Sequence, residues 1–189
     1  LGLALIYQYK LSYGATSWAA YDLTTDITVP GVLHLGTHVK DSGFYAWIYN
    51  KFNPNGKTYL SGELILTDWL TENVALDYAS DTVLGSVSDF TGLKYLVGTQ
   101  TLSLSGATVT HSNIKEIAYM KSLTTVDLSN CNITVTASGT SPFESWTAAT
   151  SQLINLVSID LRGNTIYKFD WLENLGKKSK MLAKIIVSD

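Results

Sequence analysis

The groups in this sequence that could do chemistry are few. Cys131 is the one cysteine, so no intramolecular disulfide can form, and with His34, His38 and His111 it makes no familiar zinc cluster. His34 and His38 are four apart, but Gly36 lies between them in a strand-like stretch, which argues against a metal-binding helix face. The carboxylate pair Asp22 and Asp26 has no supporting context. No G-x-S-x-G, P-loop, G-x-G-x-x-G or H-E-x-x-H occurs, so no catalytic residue, cofactor or metal ligand is assigned. Two recognition chemistries remain. Asp127, Asp160, Arg162 and Lys184 are charged residues in strand-like stretches, and Tyr45, Trp47 and Tyr49 alternate as rings on which a sugar could stack.

Bulk properties narrow the classes further. The 189 residues are 46% hydrophobic and 15% charged, enough for one or two domains with a real core. The net charge of −3, with no basic run beyond Lys177-Lys178 and Lys180, lacks the footprint of a nucleic-acid binder. No apolar run reaches the roughly 18 residues of a membrane span. Low charge with abundant Ser, Thr and Tyr suits an extracellular or surface protein. The start at Leu1 reads as processed or truncated, and the last repeat reads as incomplete.

The elements that must position these residues announce themselves as repeats. Leu123-x-x-Val126-x-Leu128-x-x-Cys131-x-Ile133 and Leu156-x-x-Ile159-x-Leu161-x-x-Asn164-x-Ile166 share one leucine-rich pattern, L-x-x-L-x-L-x-x-N/C-x-L. Thr99-x-x-Leu102-x-Leu104-x-x-Ala107-x-Val109 is a looser copy, Leu182-x-x-Ile185-x-Val187 opens another, and Thr71-x-x-Val74-x-Leu76 is a degenerate first one. The central residues Val74, Leu102, Val126, Ile159 and Ile185 are 28, 24, 33 and 26 apart. In each strand the residues of L-x-L point to one face and x to the other. Stacked copies turn those faces into one core. The Asn or Cys position turns the chain out of the strand and can bond a neighbouring backbone, which gives Cys131 a structural role.

Between strands lie helix signals. Ser141-Pro142-Phe143-Glu144 reads as a capping box with Pro at the first helical position, leading a helix through Trp146, Thr150, Leu153 and Ile154 that accounts for the 33-residue spacing. Asp170 to Glu173 reads as a second box, with Gly176 able to end the turn, and Ser112 can cap a helix carrying Ile114, Ile117, Ala118 and Met120. The expected architecture is therefore α/β, a leucine-rich-repeat solenoid with parallel strands on the concave face and short helices on the convex face.

The segment before the repeats resembles the N-terminal cap of bacterial secreted leucine-rich-repeat proteins, including the internalin-like group. Ile27-Thr28-Val29-Pro30, a helix from Phe44 to Phe52, the loop Asn53-Pro54-Asn55-Gly56-Lys57-Thr58-Tyr59-Leu60-Ser61-Gly62-Glu63-Leu64, and Ser88 to Leu96 follow one another in the order such caps show. The resemblance implies an EF-hand-like loop. Asn53 and Lys57 stand where acidic ligands belong, Thr58 replaces the glycine, and Glu63 is one place early, so no calcium is expected. The expected organisation is a β-rich segment or extended cap over 1–40, a helical cap with the degenerate loop over 41–70, and about five repeats over 71–189, the last incomplete.

Placed on that solenoid, the outward residues fall in rows across the sheet. One row is Asn73, Thr101, Thr125, Ser158 and Lys184. The next is Ala75, Ser103, Asp127, Asp160 and Ile186, and the third is Asp77, Ser105, Ser129, Arg162 and Ser188. Strands about 4.8 Å apart make Asp127 and Asp160 adjacent like charges, either two solvated carboxylates at small cost or a pair offset by Arg162, a cation or a basic partner. The candidate partner-binding face is Thr101, Ser103, Thr125, Asp127, Ser158, Asp160, Arg162 and Lys184. The expectation is a non-enzymatic protein-interaction module of a secreted or surface-displayed bacterial protein, extracellular or at the cell surface, with a lipid anchor in the outer membrane as one form of display. Its partner is a protein, bound through the concave face or the cap. The alternative is a surface glycan-binding or nutrient-uptake accessory protein using Tyr45, Trp47 and Tyr49.

Overall fold

The computed structural model describes residues 38–52, 73–81 and 86–187, together with the backbone of two short strands at 32–34 and 64–66. Most of the 1–40 segment, the loop Asn53 to Glu63 and the start of the first repeat at Thr71 lie outside the described residues, as does Ser188.

The main sheet has five parallel strands: β3 (Ala75–Asp77), β4 (Thr101–Ser103), β5 (Thr125–Asp127), β7 (Ser158–Asp160) and β9 (Lys184–Ile186), in the order β3-β4-β5-β7-β9. Two strands after the turns, β6 (Thr134–Val135) and β8 (Thr165–Ile166), pair in parallel beside it. The remaining pair is β1 (Val32–His34) and β2 (Leu64–Leu66), which is antiparallel. The helices are α1 (Ser42–Phe52), α2 (His111–Ile117) and α3 (Trp171–Lys178), with 3-10 turns at Leu93–Tyr95 and Pro142–Trp146.

Each of the first four strands of this sheet contributes its middle residue to the core. Leu76, Leu102, Val126 and Ile159 are in register and buried. The register corrects the expected first repeat. Leu76, not Val74, stands beside Leu102, so the first spacing is 26 residues. Ala75 joins Thr101 and Thr125, and Asp77 joins Ser103 and Asp127. Val74 and Leu76 differ by one strand period, so alternation alone permits either; packing under the cap selects Leu76.

The turn after each strand is held by polar groups aimed at its neighbour. Asn164 Nδ2 donates to the carbonyls of Leu128 (2.7 Å) and Leu161 (2.9 Å), and its Oδ1 accepts from the amides of Cys131 (3.1 Å) and Ile133 (3.0 Å). One side chain thereby satisfies four backbone groups of two turns. Cys131, one repeat earlier, is buried and donates its Sγ proton to the Leu104 carbonyl at 3.0 Å. Burial and the nearby Asp127 push this thiol up to about 12, which keeps it protonated and inert as a nucleophile. Asn130 and Asn132 both sit at φ 55, the left-handed region Asn tolerates, so the chain turns there without glycine.

The convex side departs from the sequence expectation in four places. Thr110, not Ser112, caps α2: its hydroxyl accepts from the Asn113 amide, and the Asn113 side chain accepts from the Thr110 amide. Ser141 accepts from Phe143 N–H, but Glu144 turns away to Lys168 and leaves that box half made. Pro142–Trp146 is one 3-10 turn rather than a long helix, and Ile154 is exposed. Asp170 has helical φ and makes no cap bond, Glu173 pairs with Lys177 instead, and Gly176 lies inside α3. Packing governs these segments. Phe143, Trp146 and Trp171 form a buried aromatic cluster, with Phe143 and Trp171 stacked at 4.7 Å, and Trp146 Nε1 donates to the Ile114 carbonyl at 2.7 Å.

Candidate interaction surface

The outward residues of the sheet form two rows flanking the buried column. The first row is Ala75, Thr101, Thr125, Ser158 and Lys184. The second is Asp77, Ser103, Asp127, Asp160 and Ile186. Thr101, Ser103, Thr125, Asp127, Ser158 and Asp160 are all half-buried, and Lys184 is exposed. The structure thus brings these seven candidates onto one face. Arg162 sits two residues past Asp160 and reaches back to it. The corrected register adds Asp77, which sequence reasoning had placed one row further on.

The acidic residues have local work. Each sits at the end of its strand and accepts the amide two residues on: Asp77 from Ala79 (3.1 Å), Asp127 from Ser129 (2.9 Å) and Asp160 from Arg162 (3.1 Å). These are Asx turns that start the chain out of the sheet. Asp127 and Asp160 are direct neighbours, as expected. The offset is internal. Arg162 forks onto Asp160, Nη2 to Oδ2 at 2.7 Å and Nε to Oδ1 at 3.1 Å. That hydrogen bond is the main reason the Asp160 carboxyl is held below the usual carboxylate range, against a smaller upward push from burial. Further along, the Ser105 and Ser129 hydroxyls meet at 2.8 Å.

The aromatic candidates separate. Trp47 is not an accessible platform: it is 1% exposed and its Nε1 donates to Asp81 at 3.0 Å. Its ring packs edge-on against Tyr78 and Phe90 under the end of the sheet, on the same buried side of α1 as Phe44 and Ile48. Tyr45 and Tyr49 are half-buried and stacked, with centroids 6.1 Å apart and planes 5° apart, and they lean on the core. Helix positions four apart meet in this way without any ligand.

Around this face the chemistry is that of hydrogen bonding and charge. Hydroxyls, carboxylates, one guanidinium and one ammonium are presented on a stiff backbone. His111 bonds the Thr134 carbonyl at 2.9 Å, and His38 meets the Tyr95 hydroxyl at 2.9 Å. Among the described residues there is no group of three or more His, Cys, Asp or Glu able to hold a metal ion. No described helix is long and apolar enough to cross a membrane.

A parallel sheet with one apolar column, an Asn/Cys turn ladder and short convex helices defines an α/β leucine-rich-repeat solenoid. A family model described as Leucine Rich Repeat matches residues 122–146, the repeat containing β5 and Cys131. No curated protein matches the chain. Among solved structures it is similar to internalin C2 of Listeria monocytogenes, with 16% identity, a TM-score of 0.40, and 84% of this chain and 78% of that one covered. It is also similar to internalin F of the same organism, with 14% identity and a TM-score of 0.28. That match covers 84% of this chain but only 58% of the internalin F chain.

Proposed function

We propose that this chain is a non-enzymatic protein-interaction module of a secreted or surface-displayed bacterial protein, and that its partner lies across the concave sheet face. The observation that carries the reading is the pair of outward rows. Across four strands they present small, half-buried hydroxyls and carboxylates on a rigid ladder, with no bulky side chain in the way of an approaching surface. Extended concave sheets of this kind suit protein partners. The low-charge, Ser/Thr/Tyr-rich composition and the cap resemblance support a location outside the cell.

The test uses the whole chain, immobilised and offered to an array of extracellular proteins. A partner bound through the concave face loses at least about tenfold in affinity with Thr125→Arg plus Ser158→Arg. Thr150→Arg, exposed on the convex side, leaves it unchanged. Binding that survives the concave pair but falls with Thr150→Arg would sink the reading. The glycan alternative now rests on Tyr45 and Tyr49 alone; glycan-array binding lost in Tyr45→Ala and Tyr49→Ala would revive it.

A further inference from the structure

The second outward row of the concave sheet holds three carboxylates, and the molecule supplies a cation to one of them. Arg162 forks onto Asp160 and occupies both of its oxygens. Asp77 and Asp127 are in no ion pair among the described residues. Each uses Oδ1 on its own turn, Asp77 for the Ala79 amide and Asp127 for the Ser129 amide. The outward residues of β3, β4 and β5 are Ala75, Asp77, Thr101, Ser103, Thr125 and Asp127. This half of the face therefore carries two negative charges and no positive one.

The register also fixes a spacing. Asp77 and Asp127 flank Ser103 in the row, two strand spacings or about 9.6 Å apart. An extended segment in the polyproline II conformation returns to the same face every three residues, after about 9.3 Å. Its backbone makes no internal hydrogen bonds, so its carbonyls need outside donors. The half-buried hydroxyls of Thr101, Ser103 and Thr125 stand between and beside the two carboxylates and can donate to them. An apolar partner on this half would bury two carboxylates without a counter-charge, and an acidic one would add like charge to them.

We propose that the cap-side half of the concave face seats a basic, extended segment of the protein partner, a proposal that rests on the concave face being the interaction surface. The segment lies across β3, β4 and β5 in the polyproline II conformation, with Arg or Lys at every third position. One cation meets Asp77 and the next meets Asp127, in the charge-assisted geometry that Arg162 already shows on Asp160. Arg162 bounds the site, because its own charge opposes a further cation beyond β5.

The probe is a peptide capped at both ends, Arg-Pro-Pro-Arg-Pro-Pro, titrated into the full chain at low salt. It is compared with Glu-Pro-Pro-Glu-Pro-Pro and with Arg-Pro-Pro-Pro-Arg-Pro, which keeps the charge and breaks the spacing. The expected result is binding at least about tenfold tighter than the Glu peptide and about threefold tighter than the respaced one. Asp77→Asn with Asp127→Asn keeps an oxygen for each turn amide and loses about tenfold in affinity for the probe. Arg162→Gln leaves Asp160 without its cation and tightens binding. Equal binding of the Arg and Glu peptides, equal binding of the two Arg spacings, or a double Asn variant that binds like the parent chain overturns the proposal. A partner from the protein array that is lost with Thr125→Arg plus Ser158→Arg but kept by the double Asn variant overturns the basic segment alone and leaves the concave face as the interaction surface.

Discussion

The two ends of the main sheet face the same physical problem and meet it differently. At β3 no further strand is paired among the described residues, yet Leu76 is fully buried. α1 lies over it with Phe44, Trp47 and Ile48, joined by Phe90. The edge itself is closed by Asp81. Its carboxylate accepts from the Asp77 amide (3.2 Å), Trp47 Nε1 (3.0 Å) and Lys51 Nζ (2.5 Å), so one side chain occupies a strand edge and pins the cap helix to it. Asp41 plays a matching part at the start of α1, accepting from the Phe44, Ser88 and Asp89 amides. At β9 the described residues supply neither a helix over Ile185 nor a carboxylate for the edge. An end repeat exposes core and backbone together, so a cap must satisfy both, and at the N-terminal end the apolar face of α1 covers the core while Asp81 bonds the strand edge.

The sharpest way to break this comparison is to remove the same kind of contact at each end. Trp47→Ala empties a large buried volume and should cost about 3–5 kcal/mol. Ile185→Ala should cost only about 1 kcal/mol, because that side chain is already partly in water. Urea unfolding of both variants checks it, and equal losses would mean that β9 is covered after all. Asn164→Ala tests the interior between the ends. It strands the Cys131 and Ile133 amides, and a loss of about 3 kcal/mol is expected in the same measurement.

A smaller effect separates the ends by pH. Burial pushes the Asp81 carboxyl up, but hydrogen bonds from Lys51, Trp47 and the Asp77 amide outweigh it and hold it below the usual range. Asp41 and Asp89 are lowered in the same manner: burial raises each, and bonds from Phe44 and Ser88 to Asp41, and from Asn113 and Thr91 to Asp89, prevail. A lowered folded pKa means stability that is complete above the unfolded value near 4 and lost as pH falls through the folded value. Amide exchange in α1 and β3 should therefore accelerate on acidification below about pH 4, and Asp81→Asn should flatten that response. The smallest expected change is a gain. Thr99 occupies the leading leucine position of its repeat, fully buried, and its hydroxyl has no partner. Thr99→Val should raise stability by about 1 kcal/mol, read as a shift in the urea midpoint.

The repeats were legible because their signal is periodic and redundant. Leu104, Leu128 and Leu161 recur at fixed offsets from Leu102, Val126 and Ile159, and the Asn/Cys position marks each turn. The first repeat was less so: Val74 and Leu76 satisfy the same alternation, and a two-residue shift leaves the pattern unchanged while moving Asp77 into a different row. The capping boxes at 141 and 170 failed for a related reason. A box is a local preference worth about 1 kcal/mol, and burial of Phe143, Trp146 and Trp171 outweighs it. The alternating rings of α1 fit either a stacking platform or packing under a cap, because alternation in sequence says nothing about which face of a helix is covered.

By itself, then, the sequence determined the solenoid, its α/β class, the adjacency of Asp127 and Asp160, and the structural part played by Cys131. Each follows from spacing along one chain, since a strand repeat places equivalent residues side by side whatever surrounds them. Only the tertiary structure decided that Leu76 heads the buried column of the sheet, and that Trp47 is buried under the cap. Those outcomes depend on contacts between segments far apart in sequence, where volume and hydrogen-bond satisfaction, not periodicity, select among arrangements of similar local energy.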